Sequence, residues 1–249
     1  MPVDNTIYDS LDDWWDPTGS VAGIHAMNPP RAAYFRGVLA THLPPRLRSL
    51  PILDLGCGGG LLTEELLKAG FAVTGVDAAH GALRVARDHA RQGHLDGRYV
   101  QALAERLPVA DRSLAAVVSS DFIEHVADLG VVLAEVRRIL APGGLFLYDT
   151  INRTWLTRLF HIGVLQEWKK LVPPDTHDWR SFIRPGELKA ALARAGLRPV
   201  ETRGLRPVQP LRFALRLLVH RRGRDRMPPF QVGGFTAASY VGYAVRDGG

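Results

Sequence analysis

The sequence predicts a doubly wound α/β domain built on a mostly parallel sheet. Between Pro51 and Asp149, short apolar runs alternate with stretches of helical periodicity, which is the pattern of strands covered by helices on both faces. The first of these runs breaks directly into glycines, as a strand does when it turns sharply into a helix. Over 249 residues, 46% are hydrophobic and 22% charged, which excludes a disordered or fibrous chain and suits one larger α/β domain with an appendage.

The elements follow in order. Residues 1–48 read as helices and turns: a Trp14-Trp15-Asp16-Pro17 cluster, then a helix from about Pro30 to Leu43. Pro51 to Gly56 is a buried strand, and Leu61 to Ala69 a helix stopped by Gly70, a C-terminal cap residue. Ala72 to Asp77 is the second strand and Gly81 to Arg91 the next helix. Arg98 to Ala102 and Leu114 to Ser119 read as strands three and four. Val131 to Leu140 is a helix ended by Pro142-Gly143-Gly144, and Leu145 to Asp149 is strand five. After Asn152 the rhythm breaks into aromatic and basic residues until Thr176; a helix from Pro185 to Ala195 then leads to a strand at Leu197–Thr202. This divides the chain into an N-terminal helical cover (1–48), a core (49–150), a lid or insertion (151–184) and a C-terminal part with a basic amphipathic segment (185–249).

A single cysteine, Cys57, excludes a disulfide framework and a zinc-type cysteine cluster, and points to a reducing compartment. The acidic, aromatic N-terminus is no secretory signal, and no run approaches the ~18 apolar residues of a membrane span. A cytoplasmic protein is expected. The net charge of +6 is unevenly placed, for Arg194 to Arg226 holds ten arginines against Glu201 and Asp225. Residues 154–171 and 211–220 combine apolar and basic side chains, a composition suited to an anionic membrane surface or to a lid, as well as to ordinary packing. A nucleic-acid-binding protein is the rival from another class. No recognisable RNA-binding module or stacking platform supports it.

Asp54-Leu-Gly56-Cys-Gly58-Gly59-Gly60 stands where strand one turns into the first helix, and Asp77 closes strand two. Glycines there let the backbone bend and approach a ligand that a Cβ would repel, and an acid at that strand end suits ribose hydroxyls. A dinucleotide-binding unit and an S-adenosylmethionine site compete. The Gly-x-Gly-x-Gly spacing, without a later helix glycine and with an acid two residues ahead, favours the second.

Further segments carry a resemblance. Ala104-Glu105-Arg106-Leu107-Pro108, Val117-Val118-Ser119-Ser120 and Arg138 to Gly144 resemble successive motifs of class I methyltransferases. Trp14-Trp15-Asp16, Ile24-His25, Met27-Asn28-Pro29-x-Arg31, Leu55 to Leu61, Tyr99-Val-Gln101, Ile123-Glu124-His125-Val126, Asn152-Arg153, Thr176-His177-Asp178 and Phe182-Ile183-x-Pro185 resemble the ubiquinone-biosynthesis O-methyltransferases, the UbiG-like family. The likeness runs from about Tyr8 to Leu197. It implies a Rossmann-like, seven-stranded sheet and methyl transfer from S-adenosylmethionine to a phenol or catechol oxygen of a small acceptor. Transfer to nitrogen or carbon of a specialised metabolite is the enzyme alternative. Oligomeric state is open.

The resemblance places the cofactor on Asp54, Gly56, Cys57, Gly58, Gly60, Asp77, Ala78, Leu103, Ala104, Glu105 and Ser120. Leu103 stands where many such enzymes carry an Asp near the adenine, so adenine would be held by apolar contact and backbone groups. A phenol of ordinary pKa, about 10, must lose its proton, to a general base or through a divalent cation such as magnesium, manganese or zinc. Asp121, Glu124 and His125 follow strand four, with i and i+3 on one face of a turn. Glu124, His125 and His177 are the catalytic candidates, Asp121, Glu124 and His125 the metal candidates, and Arg31, Asn152 and Asp178 the acceptor contacts.

Overall fold

The computed structural model describes residues 6–159, 179–219 and 226–248. The chain runs α1 (Thr6–Asp9), α2 (Ala22–His42), β1 (Ile52–Leu55), α3 (Leu61–Lys68), β2 (Val73–Asp77), α4 (His80–Gln92), β3 (Arg98–Gln101), β4 (Leu114–Ser120) and α5 (Leu129–Ile139). It continues through β5 (Leu140–Ile151), α6 (Trp155–Thr157), α7 (Pro185–Arg194), β6 (Leu197–Pro207), α8 (Pro210–Val219), β7 (Phe230–Val232) and β8 (Ser239–Arg246). The sheet order is β3-β2-β1-β4-β5-β8-β6-β7. The five strands from β3 to β5 pair in parallel, and β8, β6 and β7 add antiparallel partners.

The expected doubly wound sheet is present, with eight strands among the described residues rather than seven; the additional one is the three-residue edge strand β7. Three boundaries also differ. α2 begins eight residues before Pro30 and carries Pro29 and Pro30 inside it, held by burial of Asn28, Arg31, Ala32 and Phe35 despite the backbone bonds prolines cannot make. β5 begins at Leu140, so Pro142-Gly143-Gly144 lies within the strand, where the β4 register is irregular. β6 runs on to Pro207, paired with β7 and β8.

Alternate residues of the central strands enter two cores. Val117, Phe146, Tyr148 and Tyr240 meet α5 and α7 residues such as Val136, Leu188 and Leu192. Val118, Leu147 and Val241 meet Phe35 and Leu39 of α2 and Leu62 and Leu66 of α3. This two-sided burial fixes the register of every central strand, because a slip of one residue would exchange the faces. It also fixes where the ends of β4 and β5 point.

Candidate active site

β1 and β4 lie side by side, with Leu55 opposite Ser119. The strand order reverses at this pair, and in an open α/β sheet a ligand binds in the crevice outside the carboxyl ends at that point. The two segments emerging there are Gly56–Gly60 and Asp121–His125. Gly56 (φ 75°), Gly58 (φ 50°) and Gly60 (φ 86°) all adopt left-handed backbone. A Cβ on Gly56 would overlap the Phe122 ring, and one on Gly58 would come within 2.5 Å of Trp14.

Asp77 Oδ2 accepts from the Gly58 amide at 2.8 Å, and Oδ1 from the Ala79 amide at 2.9 Å. Burial raises its pKa, opposed by these amides. A carboxylate pinned this way keeps further lone pairs for ribose hydroxyls. Asp54 sits beneath the loop and accepts from Thr63 Oγ1 at 2.6 Å; burial pushes its carboxyl up to about 6. Cys57 turns its thiol away, into a cluster with Leu83, Ala86, Ala90 and Tyr99, so only its backbone is on the loop. Ala78 accepts from Gln101 at 2.9 Å, Ala104 is buried, Glu105 half-buried, and Leu103 is 61% exposed at the loop after β3. Positive-φ glycines, a pinned strand-end acid and an open Leu103 fit S-adenosylmethionine.

The N-terminal segment closes over this loop. The Trp15 indole donates to the Gly59 carbonyl at 3.0 Å and stacks on His89, with ring centroids 3.4 Å apart. His25 Nε2 lies 2.9 Å from the Trp14 carbonyl oxygen, and Asp9 accepts from the Gly81 amide at 2.7 Å.

A buried charge cluster forms the other half of the site. Arg31 Nη1 donates to Asp121 Oδ2 at 2.7 Å and to both oxygens of Asp149 at 3.0 and 3.2 Å. Burial alone would lower the Arg31 pKa; Asp149 and Asp121 more than offset it and hold the guanidinium charged. Asp121 has φ 46°, a conformation L-residues seldom adopt, and such strain concentrates at functional sites. Thr150 donates to Glu124 Oε2 at 2.7 Å, while burial and the Asp121 charge push the Glu124 carboxyl well above its ordinary range. Burial lowers His125 to about 4, leaving a neutral imidazole at neutral pH.

The structure therefore brings Asp121, Glu124 and His125 beside the glycine loop. Arg31 sits on Asp121 and Asp149, Ser120 hydrogen-bonds Asp149, and Asn152 ties the end of β5 to the Thr236 carbonyl at 2.6 Å. His177 and Asp178 lie outside the described residues. Among the described residues no group of three His, Cys, Asp or Glu side chains is placed to hold a metal ion. Asp121 is committed to Arg31 and Glu124 to Thr150, so as arranged the three do not form a ligand set. Sequence reasoning missed Asp149, Thr150 and Phe122. Their signal was position at the carboxyl ends of β4 and β5.

A doubly wound sheet with this loop, strand-end acid and crevice defines a methyltransferase of the S-adenosylmethionine-dependent class. Residues 53–148 match the family model described as a methyltransferase domain. Solved S-adenosylmethionine-dependent methyltransferases share the fold. One from Thermotoga maritima has TM-score 0.61 at 16% identity, covering 97% of this chain and 98% of that one; one from Methanosarcina mazei has 0.60 at 20%, covering 84% and 97%. The ubiquinone biosynthesis O-methyltransferase of Dinoroseobacter shibae is 39% identical over 199 residues, 78% of this chain and 80% of its own length. That of Azorhizobium caulinodans is 37% identical over 211 residues, 82% and 83%. The chain belongs to the ubiquinone biosynthesis O-methyltransferase family, and it uses S-adenosylmethionine to methylate a small molecule.

Proposed function

We propose that the protein methylates a phenolic or catechol hydroxyl of a small aromatic acceptor of the quinone-precursor kind. The observation that carries this reading is the contact of Phe122 with Gly56, which seats the turn bearing Asp121, Glu124 and His125 directly on the cofactor loop. When bound, the cofactor would supply an electrophilic sulfonium methyl for in-line attack by the acceptor oxygen, with the carbon–sulfur bond breaking and S-adenosylhomocysteine as the leaving group. Such a displacement asks the protein mainly for positioning and for removal of one proton. Asp77 and the glycine loop hold the cofactor, and the neutral His125 imidazole takes the hydroxyl proton. Arg31 and Asn152 orient the acceptor. His177 is the competing base and Asp178 a further acceptor contact.

A divalent cation is the second reading, favoured by the buried Glu124 Oε1, which has no hydrogen-bond partner among the described residues. It requires Asp121 to exchange Arg31 for the ion. Chelation separates the two readings, for only the second loses turnover that added magnesium, manganese or zinc restores.

The exposed Trp155, Leu156 and Leu159, with Arg158 lying 5.0 and 5.4 Å from the Trp155 and Trp179 rings, support peripheral contact with an anionic membrane surface. Leu211 and Leu215 of α8 are likewise exposed. Among the described residues no helix is long and apolar enough to cross a membrane.

Methyl-labelled S-adenosylmethionine offered with catechol, amine and carbon-acid panels tests the main reading. Label is expected as a methyl ether of the catechols; label confined to nitrogen or carbon would overturn it.

A further inference from the structure

The two carboxylates on Arg31 are not equivalent. Asp149 is fully buried, sits on β5 among its ladder bonds, and meets Arg31 Nη1 through both oxygens. Burial raises its carboxyl to about 7, opposed first by the Arg31 charge and then by hydrogen bonds from Arg31 and the Ser120 hydroxyl. Asp121 stands just beyond the end of β4, keeps 13% of its side chain exposed, and meets the same Nη1 through one oxygen. Its left-handed φ adds backbone strain to that position.

Strand geometry explains the division. Side chains of successive strand residues point to opposite faces. Asp149 shares a face with Leu147, towards α2 and Arg31, and Thr150 shares one with Tyr148, towards Glu124. The end of β5 thus anchors Arg31 with one residue and Glu124 with the next.

We infer that Asp149 is a positioning residue: it is the standing counter-ion of Arg31, and so leaves Asp121 free to exchange the guanidinium for the catechol hydroxyl next to the one that His125 deprotonates. Without Asp149, release of Asp121 would strand a buried guanidinium with no counter-charge, which is strongly destabilising. With Asp149 in place, Asp121 moves off while Arg31 stays paired and in position. Arg31 also keeps its Nε without a hydrogen-bond partner among the described residues, a donor held ready by the same clamp. The inference rests on the O-methylation reading only for what Asp121 receives.

The test compares Asp121→Asn, Asp149→Asn and the double variant. Thermal unfolding involves no acceptor. Asp121→Asn is expected to melt within ~2 °C of the parent, since asparagine tolerates left-handed backbone and Arg31 keeps Asp149. Asp149→Asn is expected to lose ~5 °C or more, having removed the better-anchored partner of a buried charge. Turnover of 3,4-dihydroxybenzoate supplies the second readout. Each single variant is expected to lose ~10-fold or more in kcat with the cofactor KM changed less than ~3-fold, and the double to be no slower than Asp121→Asn within ~2-fold. A melting loss for Asp121→Asn as large as that for Asp149→Asn would overturn the inference. So would kcat losses that multiply in the double variant, as two independent structural defects would. Should the parent leave the catechol unmethylated, the O-methylation reading fails by itself, and the melting comparison still decides the role of Asp149.

Discussion

Phe122 packs directly on Gly56, so the turn that carries Asp121, Glu124 and His125 rests on the glycine loop after β1. One glycine therefore answers to two demands, a left-handed φ of 75° and the absence of a side chain under an aromatic ring. Gly56→Ala is expected to weaken S-adenosylhomocysteine binding at least ~10-fold and to destabilise the fold by about 1–3 kcal/mol, since it adds strain and displaces Phe122. Calorimetry and denaturant unfolding check both; unchanged values in both would mean that the ring moves aside freely.

Asp77 organises the loop through its bonds from the Gly58 and Ala79 amides. Asp77→Ala is expected to cost roughly 1.5–3 kcal/mol of cofactor binding, the range for hydrogen bonds to a charged group. Parent-like affinity in calorimetry would remove Asp77 from the cofactor site.

Asp54 gives a stability prediction with a definite sign. Its folded pKa of about 6 lies above the unfolded value of about 3.9, so the folded state holds the proton more tightly. This contribution is absent below about pH 4 and turns against the fold as pH rises to about 6, by an order of 3 kcal/mol. Asp54→Asn keeps an acceptor for Thr63 and removes the charge. Measured against the parent, it should gain stability between pH 4 and 7; a difference that does not change with pH would contradict the buried-carboxylate account.

The exposed aromatic and aliphatic side chains around Arg158 predict sedimentation with anionic vesicles at low salt, weakened by added salt. Replacing Trp155 and Leu159 by polar residues should reduce it. Vesicles ignored at low salt would leave only lid and packing roles for this surface.

The alternation of strands and helices between Pro51 and Asp149 was legible because the parallel strands are short apolar runs punctuated by glycine and by helical periods. β8 was not: SYVGYAVR is buried along almost its whole length, so it shows no two-residue alternation, and Gly242 interrupts its apolar run. The start of α2 was hidden by Pro29 and Pro30, which locally signal a helix's first turn rather than its interior. In the site, the glycine loop, Asp77 and the 121–125 turn could be read from motif order. The Arg31–Asp149 pair could not, because its partners lie 118 residues apart and only the parity of β5 turns Asp149 towards α2.

The central claim is that the turn after β4 removes the acceptor's proton beside the cofactor. The most direct measurement is single-turnover methyl transfer to a catechol by the parent and His125→Ala across pH, with S-adenosylhomocysteine affinity measured alongside. Burial holds His125 near 4, so the active neutral form prevails above that value, and the parent's acid limb should fall below the ordinary imidazole range. The variant should lose about 10²–10⁴ in rate while binding cofactor within ~3-fold of the parent, as expected for loss of a general base. A His125→Ala protein that binds cofactor normally and transfers methyl at the parent rate across pH 6 to 9 would contradict the claim.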